Sequence, residues 1–95
     1  MTAYLIAQIE VTDSEAYEEY RKQVPATLEG HGAKYLVRGG ALTRLEGDWP
    51  QERVVVIAFA FMEAAQAWYD SAAYAGPKAL RQSASRGNMI LVEGA

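Results

Sequence analysis

In KYLVRGG, residues 34 to 40, Arg38 stands directly before Gly39 and Gly40. A guanidinium beside two small residues whose backbone N–H groups can form a nest is a pattern that holds a carboxylate or a small phosphate. The competing reading is a bulged strand whose arginine pairs with Glu46 or Asp48 at the surface, where ion pairs stabilise little. Around this arginine the densest chemical signal is aromatic: Tyr17, Tyr20, Trp49, Trp68, Tyr69 and Tyr74. Rings with polar tips either fill cores or line apolar pockets that orient a ligand through a few hydrogen bonds. The expected ligand site is lined by Tyr20, Trp68 and Tyr69, with Arg38 or Arg21 meeting the charge of a small anionic or aromatic metabolite. His31, the only histidine, and Tyr20 are the candidates for acid/base work. His31 lies between two glycines at a helix end, where the simpler reading is an exposed cap residue favoured by the helix dipole.

The rest of the composition removes chemistries. There is no cysteine, so thiolate nucleophiles and disulfides are excluded, and one histidine without cysteine cannot build a structural zinc site. RGG and LEG do not make a dinucleotide fingerprint and no phosphate-binding loop motif is present, so no cofactor or metal is expected. Nine Lys plus Arg against twelve Asp plus Glu give a net charge of −3 with no basic stripe, which argues against nucleic acid. The start, MTAYLIAQIE, has no basic leader region and no apolar run approaches ~18 residues, so no membrane partner is expected and the cytoplasm is the simplest address. Glu15, Glu18 and Glu19 suit the start of a helix, and Arg81, sharing a face with Lys78, Gln82 and Ser85, is expected in solvent.

Those residues must be positioned by a small set of elements. Residues 4–11 alternate as a strand, with Leu5, Ala7, Ile9 and Val11 on one face and Tyr4, Ile6, Gln8 and Glu10 on the other. Thr12 and Glu15 suggest a capping box for a helix over about 13–29, striped by Tyr17, Tyr20, Val24 and Leu28. Pro25 is expected to kink or break it near Val24, and Gly30 or Gly32 to close it. Two short strand-like runs follow, 34–38 and 41–46, then a turn in EGDWPQER and a strand over 53–61 that is apolar at both parities. A second helix starts in FMEAAQAWYDS, is interrupted at Gly76 and Pro77, buries Leu80 and Ala84, and ends at Gly87 before a last strand in NMILVEG. The order β, α, β, β, α, β in one domain over residues 1–95 implies an α+β, ferredoxin-like fold with a four-stranded antiparallel sheet.

YEEYRKQVPATLEGHGAKYLVRGG, LEGDWPQERVVVIAF, AAQAWYDSAAY and ILVEG, in this order and over nearly the whole chain, resemble the bacterial family called domain of unknown function 1330. The resemblance implies a dimeric α/β barrel of ferredoxin-like subunits and no established reaction. It marks Tyr17, Tyr20, Arg21, Pro25, Arg38, Gly39, Gly40, Gly47, Asp48, Trp49, Trp68, Tyr69, Ser71 and Tyr74 as motif positions. The chain departs from the family pattern at AAYAGPKALR and at Ala33, where a glycine is common. Related barrels include cofactor-free monooxygenases and isomerases, a likeness of fold alone.

Two helices cover one face of such a sheet, yet the third and fourth strands are apolar on both. Each Å² left in water costs about 25 cal/mol, so a second copy stacked sheet on sheet is the expected lid. Gln8 and Glu10 on that face then require partners, for which Arg21, Arg44 and Arg53 are available. Three readings follow: a homodimer binding a small metabolite, a cofactor-independent enzyme of monooxygenase or isomerase type, and a dimer acting through protein contacts alone.

Overall fold

The computed structural model describes residues 1–49 and 53–95, so Pro50, Gln51 and Glu52 of the turn read in EGDWPQER lie outside the described residues. Its elements are β1 (Ala3–Val11), α1 (Ser14–Leu28), β2 (Lys34–Arg38), β3 (Arg53–Phe59), α2 (Met62–Tyr69), α3 (Ala72–Ala84) and β4 (Ser85–Glu93). The strands pair antiparallel in the order β2-β3-β1-β4, which is the ferredoxin-like α+β arrangement.

The alternation of β1 decides the two faces. Ala3, Leu5, Ala7 and Ile9 are buried under the helices, while Tyr4, Ile6 and Gln8 face the other way. Register carries this across the sheet. Ile57 and Leu91 flank Leu5 on the helix side, whereas Val56 and Ile90 flank Ile6 on the open side. The core is Leu5, Ala7, Ile9, Ile57 and Phe59 of the sheet against Tyr17, Tyr20, Val24 and Leu28 of α1, Trp68 of α2 and Tyr74 of α3. On the uncovered face Ile90 is 56% exposed and Val92 41%.

Several boundaries differ from the sequence reading. The cap of α1 is Asp13, whose carboxylate accepts from Ala16 N at 3.1 Å, and not Thr12. Pro25 does not break α1, which runs on to Leu28. Residues 41–46 form no strand and are exposed. The break in the second helical region falls at Asp70 and Ser71, where the Ser71 hydroxyl caps α3 by accepting from Tyr74 N at 3.2 Å. Gly76 and Pro77 lie inside α3. Gly87 does not end that helix. It belongs to β4, where a Cβ would collide with the Gln8 carbonyl of β1, so a close strand-to-strand approach explains the glycine.

Candidate functional site

Between the helices and the covered face lies a cavity with an internal volume of about 30 Å³. A single water needs roughly 10–15 Å³ by this measure, so the space is that of one or two waters, or of the two oxygens of a carboxylate. Its apolar walls are Leu5, Ala7, Ile9, Val55, Ile57, Met89 and Trp68, and its polar atoms come from Tyr17, Tyr20, Tyr35, Arg21, Arg38, Arg53 and Arg81. Four arginines thus share one small space whose lining, among the described residues, contains no carboxylate; Glu18, which is not part of that lining, meets Arg21 Nη1 at 3.0 Å.

Each arginine arrives for a local reason. Tyr17, Tyr20, Arg21 and Val24 follow at helical spacing, so one face of α1 delivers all four. Arg38 owes its direction to an irregularity in β2. Tyr35 pairs with Ile57, but Val37 pairs with Val56 and Arg38 with Val55, so Leu36 is an extra residue in the ladder. In a ladder without the irregularity Tyr35 and Val37 would share a face. With it Tyr35 and Arg38 do, and Val37 turns to the open side. The bend therefore precedes Arg38 and comes from Leu36, not from the glycine pair.

Pro25 supplies a hold for Arg38. Lacking an N–H, proline leaves the carbonyl four residues back without its helical donor. That carbonyl belongs to Arg21, and Arg38 Nη2 donates to it at 3.4 Å. The Arg38 guanidinium also lies 4.6 Å from the Tyr35 ring centroid. It makes no ion pair with Glu46 or Asp48 among the described residues.

Gly39 serves the neighbouring arginine. Its φ of +68° disfavours other residues, and a Cβ there would run into the Arg53 guanidinium. Its N–H donates to Val54 O at 2.9 Å, so that donor is spent on the sheet and does not face an anion. Arg53 Nε donates to the Tyr17 hydroxyl at 3.2 Å. Arg53 is therefore not a partner for Gln8 or Glu10. Glu10 is met by Arg86 at 2.9 Å on the open face, which holds its carboxyl below the ordinary carboxylate range through the hydrogen bond and charge of Arg86.

Arg81 overturns the expectation of a solvent-facing side chain. It is half-buried, and its Nε donates to the Tyr74 hydroxyl at 3.3 Å. The Tyr74 and Tyr20 hydroxyl oxygens are 2.8 Å apart. Tyr74 is fully buried against Trp68, ring centroids 4.0 Å apart. Trp68 in turn donates to Thr27 Oγ1 at 3.0 Å, which donates to Val24 O at 2.7 Å. The signal that marks Arg81 is the run Tyr74, Pro77, Arg81 and Ala84 at spacings of three and four, in which the other three are buried.

Of the residues expected at the site, Tyr20, Arg21, Arg38 and Trp68 come together. Tyr69 does not line the cavity. It stands beyond Trp68, in a shallow groove with Gln66, Met89 and Ile90. His31 is also elsewhere, in a turn beside Gly30, Ala60 and Phe61. Trp49 is exposed in the segment with Leu42 and Leu45.

Protonation follows burial. Burial pushes the Tyr20 phenol far above the ordinary tyrosine range, and charge on the neighbouring Tyr74 pushes it further. Tyr35 is raised by burial, against the opposing pull of Arg38. Tyr20 is thus a proton holder and a hydrogen-bond donor at any working pH. Arg21 Nε is buried without a hydrogen-bond partner among the described residues. Among those residues no group of three His, Asp or Glu side chains is placed to hold a metal, and no helix is long and apolar enough to cross a membrane.

Solved structures share this fold at low identity. A protein of unknown function from Rhodopseudomonas palustris superposes with a TM-score of 0.81 at 17% identity, covering 99% of this chain and 82% of its own. A protein of unknown function from Bacteroides thetaiotaomicron, described as a possible oxidoreductase, gives 0.68 at 15%, covering 98% and 97%. SnoaB, a cofactor-independent oxygenase from Streptomyces nogalater, gives 0.63 at 9%, covering 99% and 93%. No curated protein matches the sequence. A family profile matches residues 2–95, and the chain belongs to that family, Domain of unknown function (DUF1330).

Proposed function

We propose that the protein binds a small organic anion, its acidic head seated in the arginine-lined cavity and its remaining atoms at the mouth by Arg21 and Arg38. The observation that carries this is the gathering of four guanidiniums in a lining that, among the described residues, holds no carboxylate, and of which only Arg21 is met by one, Glu18. Like charges confined together repel, and an anion removes that repulsion while accepting their hydrogen bonds. Arg21 Nε, without a partner among the described residues, supports the same reading, since a buried donor left without an acceptor costs free energy. The volume of about 30 Å³ favours a carboxylate-sized head over a whole aromatic ring inside.

The open face of the sheet is covered, in this reading, by a second copy of the chain. Tyr4, Ile6, Val54, Val56, Ile90 and Val92 make its centre, and the Glu10–Arg86 pair neutralises itself at one end. A neutral apolar sheet of this kind is complementary to itself.

Titration calorimetry with benzoate and with inorganic phosphate tests the anion site. Wild type is expected to bind at least one, with Arg38→Ala and Arg53→Gln each weakening it tenfold or more while far-UV circular dichroism is unchanged. At ten times Kd a bound anion adds about 1.4 kcal/mol, or roughly 6–11 °C in Tm. No affinity for either anion, or wild-type affinity in Arg38→Ala, rejects the reading.

A second reading makes the cavity a place of reaction without a bound cofactor. Preformed donors around an anion are also what stabilises a developing enolate, and the fold is shared with a protein described as a cofactor-independent oxygenase. In that case Tyr20 serves as a donor, because its raised pKa makes it a poor base. His31 is not in this cavity's lining and borders a different groove, so it takes no part in this second reading.

A further inference from the structure

We propose that Arg81, Tyr74 and Tyr20 form a directed chain of donors whose last hydrogen enters the cavity, so that Tyr20 selects a ligand by an ionised, acceptor-only oxygen. The proposal rests on the anion-site reading and deepens it, by naming the atom that separates a carboxylate from its neutral carboxamide.

Direction follows from counting hydrogens. A guanidinium has donors only, so Arg81 Nε gives its hydrogen to the Tyr74 oxygen at 3.3 Å. Tyr74 then has its own hydroxyl hydrogen to place. Its ring is fully buried, it does not line the cavity, and among the described residues its only other polar neighbour is the Tyr20 hydroxyl at 2.8 Å. If Tyr20 donated instead, the Tyr74 hydrogen would be buried without an acceptor. Tyr74 therefore donates and Tyr20 accepts. The Tyr20 hydrogen has no acceptor among the described residues, and Tyr20 does line the cavity. A hydroxyl that accepts a hydrogen bond becomes a better donor in turn, and this chain begins at a full positive charge.

The consequence is a wall in which donors far outnumber acceptors: the Tyr20 hydroxyl and the guanidiniums of Arg21, Arg38, Arg53 and Arg81, against the phenol oxygens of Tyr17 and Tyr35. A carboxylate offers acceptors throughout, whereas a carboxamide of the same shape brings an NH₂ that finds few acceptors among these donors. Tyr74 acts only through Tyr20 and is a positioning residue.

Calorimetric titration of benzoate and benzamide against three proteins tests the chain. Wild type is expected to prefer benzoate. Tyr20→Phe should lose about tenfold of that preference, the worth of one hydrogen bond to a charged group. Tyr74→Phe should lose about two- to threefold without touching the ligand. Proton NMR of the unliganded wild type gives a measure that does not depend on variants folding. The Tyr74 hydroxyl proton should be the protected one, lying between the two rings, with the Tyr20 proton exchanging faster and moving downfield on adding benzoate. Tyr20→Phe with the full wild-type preference, or a Tyr20 proton directed at Tyr74, overturns the chain and leaves the anion site standing. Failure of wild type to bind benzoate overturns the carboxylate selectivity, and failure to bind inorganic phosphate as well overturns the reading beneath it, while the hydroxyl protons still report direction.

Discussion

The two faces of one sheet treat positive charge in opposite ways. On the open face Arg86 meets Glu10 at 2.9 Å, both are well exposed, and water screens what remains. On the covered face four arginines converge between apolar walls; Arg21 reaches Glu18 at 3.0 Å, while among the described residues Arg38, Arg53 and Arg81 have only a carbonyl and phenol oxygens as acceptors. Exposed charges are readily paired and contribute little. Partly buried charges without a counter-ion carry a cost, and a fold keeps them at functional sites more than elsewhere.

The largest test of this contrast is on the open face. Ile90→Lys places a charge at the centre of the surface expected to meet a second copy, and should weaken dimer association at least a hundredfold while each subunit stays folded. Sedimentation velocity at micromolar concentration reads this directly. A wild type that is already monomeric there removes the open face as an interface.

A smaller effect belongs to the covered face at high pH. The Tyr20 pKa is raised in the folded chain from an ordinary value of 10.0. Its contribution is therefore fully present below pH about 10 and is lost as pH rises above it, because the unfolded chain ionises first. Relative to Tyr20→Phe, wild type should lose about 1.4 kcal/mol for each pH unit above 10, read from urea midpoints. Parallel curves for the two proteins would show that this phenol ionises freely.

The smallest effect is Glu10→Gln. The Glu10 pKa is lowered by Arg86, so the pair's contribution is present above the ordinary carboxylate value and is lost as pH falls through the depressed one. The variant should have a slightly flatter acid limb between pH 5 and pH 3 and be otherwise like wild type.

Much of the covered face was legible from periodicity. The alternation of Leu5, Ala7 and Ile9, and the helical spacing of Tyr17, Tyr20 and Val24, assign core positions from hydrophobic pattern alone. Arg21 and Arg38 were legible as candidates by type. Arg53 and Arg81 were not recognised as site residues, because a charged residue on a helix or at a strand start reads as solvated until the packing around it is known. Trp68 gave both of its roles away only in space, as a core residue that also walls the cavity. The link from Pro25 to Arg38 joins the carbonyl that proline leaves free, that of Arg21, to a side chain seventeen positions away in sequence, and no local pattern contains it.

The extra residue at Leu36 makes β2 a place where register, not identity, sets chemistry. In an even ladder of the same residues Leu36 would pair with Val56 and Val37 with Val55, so Val37 would turn inward and Tyr35 would lose the guanidinium that now lies on its ring, although every functional side chain would still be encoded. One irregular pairing thus separates a cationic chamber from a greasy one with no change in composition.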